Sequence, residues 1–218
     1  MNLQNPKKFK LLIDQAHQVA INVLRPISRK YDKAEHSYPK ELDMLASLVD
    51  GMNEGGEGMN AGAAVGKRGT NEQGNKNGVN LSTALSVIEM CYGDTALLLS
   101  MPRQGLGNSA IAAVANEEQL ERFKNTWAAM AITEPNCGSD SAAIRTTATK
   151  DGDDYILNGE KIFVTSGERA DAIVVWATLD KKLGRSAIKS FVIPKGTAGM
   201  TVERLEHKLG IKASDTAV

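Results

Sequence analysis

Near residue 126 the apolar residues of this chain change period, and that change limits the folds open to it. Over residues 5–33, Phe9, Leu12, Ile13, Ala16, Val19, Val23 and Ile27 recur at three- and four-residue spacing, the pattern of an amphipathic helix. Pro26 is expected to bend or end that helix late, because proline offers no N–H and its ring crowds the carbonyl four residues back. Ser37 precedes Pro39, and Leu42, Leu45, Leu48 and Val49 follow, which predicts a second helix with proline near its first turn. The stretch 51–78, GMNEGGEGMNAGAAVGKRGTNEQGNKNG, is dominated by Gly and Asn. It reads as a long mobile loop, either a surface insertion or a flap over a ligand. Helical spacing resumes over 79–91 with Asn80 or Ser82 as cap, and again from Asp94. Asn116-Glu117-Glu118-Gln119 opens a further short helix.

Beyond residue 126 the apolar and β-branched residues fall into short runs parted by turns: TWAAMAIT, AIRTTAT, DYILNG, EKIFVTSG, DAIVVWATL, KSFVIP and MTVERL. Asp151-Gly152 is a hairpin-turn pair. The runs predict about six strands, enough for a small barrel or sandwich. Helices first and strands second make an α+β fold: an all-helical N-terminal domain over 1–125, followed by a small β-barrel or sandwich domain over 126–218.

Composition narrows the functions. Lys+Arg and Asp+Glu are 26 each, a formal net charge of zero, so nothing draws the chain as a whole to nucleic acid or an anionic membrane. No apolar run approaches the roughly 20 residues needed to span a bilayer, and the N-terminus has no signal-peptide pattern. Cys91 and Cys137 make no disulfide framework, so a reduced, cytoplasmic setting is expected.

Several motifs lack the context their chemistry requires. Gly105-Leu-Gly-Asn-Ser-Ala110 matches G-x-G-x-x-A, but no strand precedes it; small residues packing helices is the simpler reading. Gly62 to Arg68 has the wrong spacing for a phosphate loop, with Arg68 where a magnesium-binding hydroxyl belongs. His17, His36 and His207 stand apart from one another and from the cysteines along the chain, so no metal-ligand spacing is present. Cys137 has no nearby His to make it a nucleophile.

Two stretches carry more. In Ala131-Ile-Thr-Glu-Pro-Asn-Cys-Gly-Ser-Asp140, Thr133 ends a strand with a stiff hydroxyl-bearing side chain. Pro135 fixes a turn, Gly138 allows a close backbone approach, and Ser139 adds a hydroxyl beside it. Asp140 caps the turn, and Glu134 reads as a turn or interdomain residue. In Gly159-Glu-Lys-Ile-Phe-Val-Thr-Ser-Gly167, Phe163 and Thr165 are two apart, on one face if the run is a strand. A ring beside a hydroxyl suits the edge of a planar heteroaromatic cofactor.

Together these stretches resemble the acyl-CoA dehydrogenase family. TEPNCGSD is similar to that family's T-E-P-x-x-G-S-D loop. DGDDYILNGEKIFVTSGERAD resembles its continuation, and SFVIPKGTAGM and KLGIKASDT resemble its next signatures in order. The resemblance is strong over about 126–218 and weaker over the helical part.

It implies an FAD-dependent enzyme that introduces an α,β double bond into an acyl-CoA thioester. Met130, Ile132, Thr133, Gly138 and Ser139 would contact FAD, and Phe163, Val164 and Thr165 would form a second flavin patch. Ser139 would also reach the acyl-CoA, as would Arg185 by a looser match. Met130 stands where many members have Tyr or Phe, and Phe163 where many have Trp; both keep an apolar surface.

The family's catalytic base is usually a Glu of a C-terminal helical domain, and this sequence stops inside KLGIKASDTAV. The resemblance therefore leaves the catalytic residue unassigned and implies weak flavin binding, or none, without that domain. It also implies an electron-transfer flavoprotein as acceptor and a homo-oligomer at full length. A related acyl-CoA oxidase or flavin monooxygenase, or a non-catalytic flavin-binding fragment needing a second chain, are the alternatives.

Overall fold

The computed structural model describes residues 7–54, 79–103 and 106–218. The chain packs as two compact units. One comprises Met1–Gln104 with His207–Ser214; the other comprises Gly105–Glu206 with Asp215–Val218. The division falls near residue 104, about one helix pair earlier than the 125/126 boundary read from periodicity.

The first unit is helical. Helix α1 (Lys10–Val19) runs through a widened π turn (Ala20–Leu24) into α2 (Arg25–Lys33). Pro26 therefore neither ends nor sharply breaks the helix. It sits in the first turn of α2, after a wide turn in which the Arg25 N–H reaches back to the Ala20 carbonyl. That five-residue spacing accommodates a residue with no N–H to give. Ile13, Ala16, Ala20, Leu24 and Tyr31 are buried along one face.

Helix α3 (Glu41–Glu54) buries Leu42, Leu45 and Ala46, whereas Leu48 is exposed and lies off the inward face. Residues 51–54, expected in the loop, are helical; the rest of that expected loop, 55–78, lies outside the described residues, as does the stretch Gly62 to Arg68. Helix α4 (Val79–Leu99) is interrupted at Asp94, whose backbone is extended at φ −171°. Its carboxylate accepts the Leu97 N–H at 2.9 Å and so caps the restart. One residue earlier, a Cβ on Gly93 would lie 2.8 Å from the Ala20 carbonyl oxygen, so glycine lets α4 cross the π turn at backbone distance.

The second unit holds the sheet. Helix α5 (Leu106–Val114) lies against strand β1 (Ala128–Ala131). Asn108 ties the two together, donating to the Thr126 carbonyl at 2.6 Å and accepting the Ala128 N–H at 2.9 Å. The G-x-G-x-x-A stretch thus packs small residues as expected, but its partner is a strand. Helix α6 (Glu117–Phe123) begins with a full capping box: Asn116 accepts from Gln119 N and the Gln119 side chain accepts from Asn116 N. Asn116→Ala removes the side-chain acceptor for the Gln119 N–H and is expected to cost about 1 kcal/mol, read as a small fall in the urea midpoint.

Strand β5 (Ala172–Thr178) is the spine of the sheet. It pairs antiparallel along its whole length with β6 (Ile188–Pro194), and its other edge takes β1 in parallel from Ala172 to Val175. Strands β2 (Thr147–Asp151) and β3 (Asp154–Asn158) form a hairpin turned at Gly152, φ 60°, and β2 meets β5 at Thr147 and Thr178. Strands β4 (Val164–Thr165) and β7 (Thr216–Ala217) form a separate two-stranded sheet.

The α+β arrangement is as expected, but the described strands do not close into a barrel. Two expected strands are smaller than their sequences predict. MTVERL makes only a bridge from Leu205 to Ala217, with backbone bonds between Glu203, Arg204 and Val218. EKIFVTSG contributes only Val164–Thr165, because Phe163 adopts a left-handed backbone, φ 58°. Trp127, Ala129, Ala131, Val164, Val175 and Ala217 build the core between β1, β4, β5 and β7. No helix among the described residues is long and apolar enough to cross a membrane.

Candidate functional site

The two singled-out stretches meet in the second unit. Beyond Ala131, the chain turns at Glu134-Pro135-Asn136-Cys137, closed by reciprocal backbone bonds between Glu134 and Cys137 of 2.9 and 3.1 Å. Glu134 is buried, 6% exposed. Its Oε1 accepts from Lys161 Nζ at 2.8 Å, Thr146 Oγ1 at 2.6 Å and Thr146 N at 2.9 Å; its Oε2 accepts from Arg145 N at 2.6 Å. Lys161 also donates to the Ile132 carbonyl at 2.9 Å, and the Ile162 N–H donates to the Thr133 carbonyl at 2.9 Å. The second stretch is thereby stapled to the first by one buried ion pair and two bonds to carbonyls. Gly159 makes room for it, since a Cβ there would lie 2.4 Å from Thr146 Oγ1.

Burial pushes the Glu134 carboxyl upward, but the bonds from Lys161, Thr146 and the two backbone N–H groups outweigh it and hold the group at about 2. Burial also lowers the Lys161 ammonium, against the pull of Glu134. A carboxylate of such low basicity, with both oxygens engaged, is no proton acceptor for a substrate. The reading of Glu134 as a turn residue holds, and all its partners lie in its own unit.

A second buried carboxylate fixes the far side of the 161–167 stretch. Asp215, 0% exposed, accepts the Glu168 N–H at 3.0 Å and the Arg169 N–H at 3.3 Å, with Arg169 Nε 3.5 Å away. The Ser166 N–H donates to the Asp215 carbonyl at 3.1 Å. Strand β4, between these two anchors, lies against β1.

On this frame the expected site residues are distributed unevenly. Met130, Ile132, Thr133 and Thr165 are half-buried, and Gly138 and Ser139 are exposed. Val164 is buried in the core, which leaves its backbone as the part able to meet a ligand. Phe163 is not on a strand face with Thr165; its left-handed backbone instead turns it outward, 60% exposed. Arg185 is exposed on a short helical segment, Lys181–Ala187, which packs against Ser141–Ala143, just past Ser139. Cys137 is buried filler, its Sγ 3.8 Å from the Glu134 carboxylate.

Gly138 has open space where a Cβ would stand. Neither torsion nor packing within the chain calls for glycine there, and its backbone is open to an outside molecule. An exposed ring, half-buried threonines and an open glycine backbone are features that fit a flavin ring system.

Lys161, Thr146 and Asp215 carry the frame and were not singled out by motif reasoning. The available signal was Lys161 itself, a cation that leads directly into the apolar Ile162-Phe163-Val164.

A helical unit joined in sequence to a β unit with this stapled double loop defines the class, and comparison with known proteins gives it a family. The family profile for the acyl-CoA dehydrogenase middle domain matches residues 129–218. The short-chain-specific acyl-CoA dehydrogenase of Clostridium acetobutylicum is 33% identical over 99% of this chain and 55% of its own length. The structure of butyryl-CoA dehydrogenase from Megasphaera elsdenii superposes with a TM-score of 0.78 at 29% identity, covering 100% of this chain and 56% of that one. A chain solved in work on the electron transferring flavoprotein of Acidaminococcus fermentans superposes at 0.76 with 30% identity, covering 100% of this chain and 55% of that one. By these matches residues 129–218 are an acyl-CoA dehydrogenase middle domain, and the chain as a whole is similar to members of that family. It spans about half the length of the relatives it matches.

Proposed function

We propose that this chain is the helical and β portion of an FAD-dependent acyl-CoA dehydrogenase. The observation that carries the reading is the stapled double loop, which presents Phe163, Thr165, Met130 and the Gly138 backbone from one buried frame. In this reading Met130 and Phe163 supply apolar surface for the isoalloxazine ring. The hydroxyls of Thr133 and Thr165, with the backbone at Ile132, Gly138 and Val164, hold its polar edge. FAD, when bound, would supply the acceptor for the hydride that leaves the acyl β-carbon as the α-proton is removed. Ser139 and Arg185 lie on neighbouring segments and would meet the acyl-CoA, Arg185 through charge on the CoA phosphates. The names of the relatives support a CoA thioester as substrate, and the flavoprotein work that yielded one structural neighbour supports an electron-transferring flavoprotein as acceptor. Homo-oligomerisation is part of the same reading.

Titration of FAD by quenching of its fluorescence tests the cradle. Loss of one hydrogen bond costs about 0.5–1.5 kcal/mol, so Thr165→Ala is expected to weaken FAD binding by up to about tenfold. Thr165→Ser should restore it, with the urea midpoint unchanged throughout. Equal affinity in all three proteins would remove Thr165 from the site, and the absence of saturable FAD binding in a full-length protein would sink the flavin reading.

A further inference from the structure

Histidines that stand apart in sequence come together in the first unit. The segment His207–Ser214 returns to the turn after α2, where the His36 N–H donates to the Lys212 carbonyl at 3.3 Å. Glu35, His36 and His207 each place one potential ligand atom within 4.8 Å of the others. The His36 and His207 rings are 5.3 Å apart between centroids, tilted by 56°, and His207 Nδ1 is 3.0 Å from Glu35 Oε2. Glu35 Oε1 accepts the Lys208 N–H at 3.0 Å, which fixes the carboxylate plane and aims the other oxygen at the histidines. His36 has a left-handed backbone, φ 66°, a conformation uncommon outside glycine; here it brings the ring toward His207.

We propose that Glu35, His36 and His207 form a binding site for a single Zn²⁺ ion. Two imidazoles and a carboxylate are the donors that suit Zn²⁺, and three protein ligands leave a fourth position for water. Ligand atoms on a tetrahedral Zn²⁺ at about 2.0–2.1 Å lie roughly 3.4 Å apart, so closing the trio requires side-chain adjustment only. The exposed His207 side chain gives a path of entry. The Glu35–Lys208 bond supplies the outer-shell support that such ligands use. The Lys212 charge near Glu35 opposes a cation and weakens the site. The ion would clamp His207–Ser214 onto the turn following α2.

Isothermal titration of the chelator-treated full chain with ZnCl₂ tests the site, with Co²⁺ absorption as a second probe. One equivalent is expected, with visible Co²⁺ bands of tetrahedral intensity that Zn²⁺ removes. His207→Ala and Glu35→Gln each lose a direct ligand, so a drop of at least about the 10–100-fold seen for outer-shell losses is expected. His36→Asn, a residue that tolerates the left-handed backbone, should weaken binding similarly without unfolding the turn. Isotherms that superimpose on the wild type in all three variants would place the metal elsewhere and overturn the proposal. No saturable binding by the wild type would reduce the trio to a His–carboxylate hydrogen bond and overturn it equally.

Discussion

Glu134→Ala is expected to destabilise the chain by about 3–5 kcal/mol, the range for removing one member of a buried ion pair. The substitution leaves the Lys161 ammonium buried without its carboxylate. It also removes the acceptor for Thr146 Oγ1 and for the N–H groups of Arg145 and Thr146. Lys161→Met should cost less, because Glu134 keeps three donors and the methionine fills a similar volume. A double-mutant cycle measured by urea unfolding isolates the pair, and independent effects at the two sites would contradict the staple.

Acid gives a second test, with its sign fixed by the lowered carboxyl. The folded group sits at about 2 against an ordinary 4.5. Its contribution is therefore fully present above pH 4.5 and fades as pH falls toward 2. The stability gap between wild type and Glu134→Ala should narrow across that window. A gap that stays constant there would deny the carboxylate its role.

The same residues show what the sequence made legible. The order of a helical part and a strand-rich part followed from period, and the Asp151-Gly152 turn and the helix opened by Asn116 followed from residue types that lie within four residues of one another. The two loops that meet at the site were also legible, one by its turn chemistry and one by its ring and hydroxyl. The geometry joining them was not. Glu134 finds its partners 11, 12 and 27 positions away, and only the fold supplies that proximity. Phe163 was misplaced on a strand because nothing in Lys-Ile-Phe-Val signals a positive φ. Its local β propensity is overridden by the anchors on either side, Lys161 on Glu134 and Ser166 on Asp215. His36 and His207 illustrate the same limit, since spacing along the chain reveals ligand sets only when the ligands are near in sequence.

Gly107→Ala is the other substitution with a large expected effect, and here propensity and packing predict opposite signs. In a helix, exchanging glycine for alanine normally stabilises, by up to about 1 kcal/mol. At Gly107 the added Cβ would lie 2.2 Å from the Ala129 carbonyl oxygen, 2.5 Å from that of Ala128 and 2.7 Å from the Ala128 carbonyl carbon. All three are backbone atoms of β1, so no side chain can swing away, and relief requires α5 to lift from the strand. Lifting it strains both Asn108 bonds, to the Thr126 carbonyl and from the Ala128 N–H. Overpacking in a well-packed core costs about 1–3 kcal/mol and occasionally more. With the Asn108 bonds also strained, a loss of about 3 kcal/mol or greater is expected in urea unfolding. The displacement also reaches the site, because β1 leads directly into Thr133 and Glu134; FAD affinity should fall alongside stability. A neutral or stabilising Gly107→Ala would mean that helix propensity, and not the close approach of α5 to β1, decides the residue at this position.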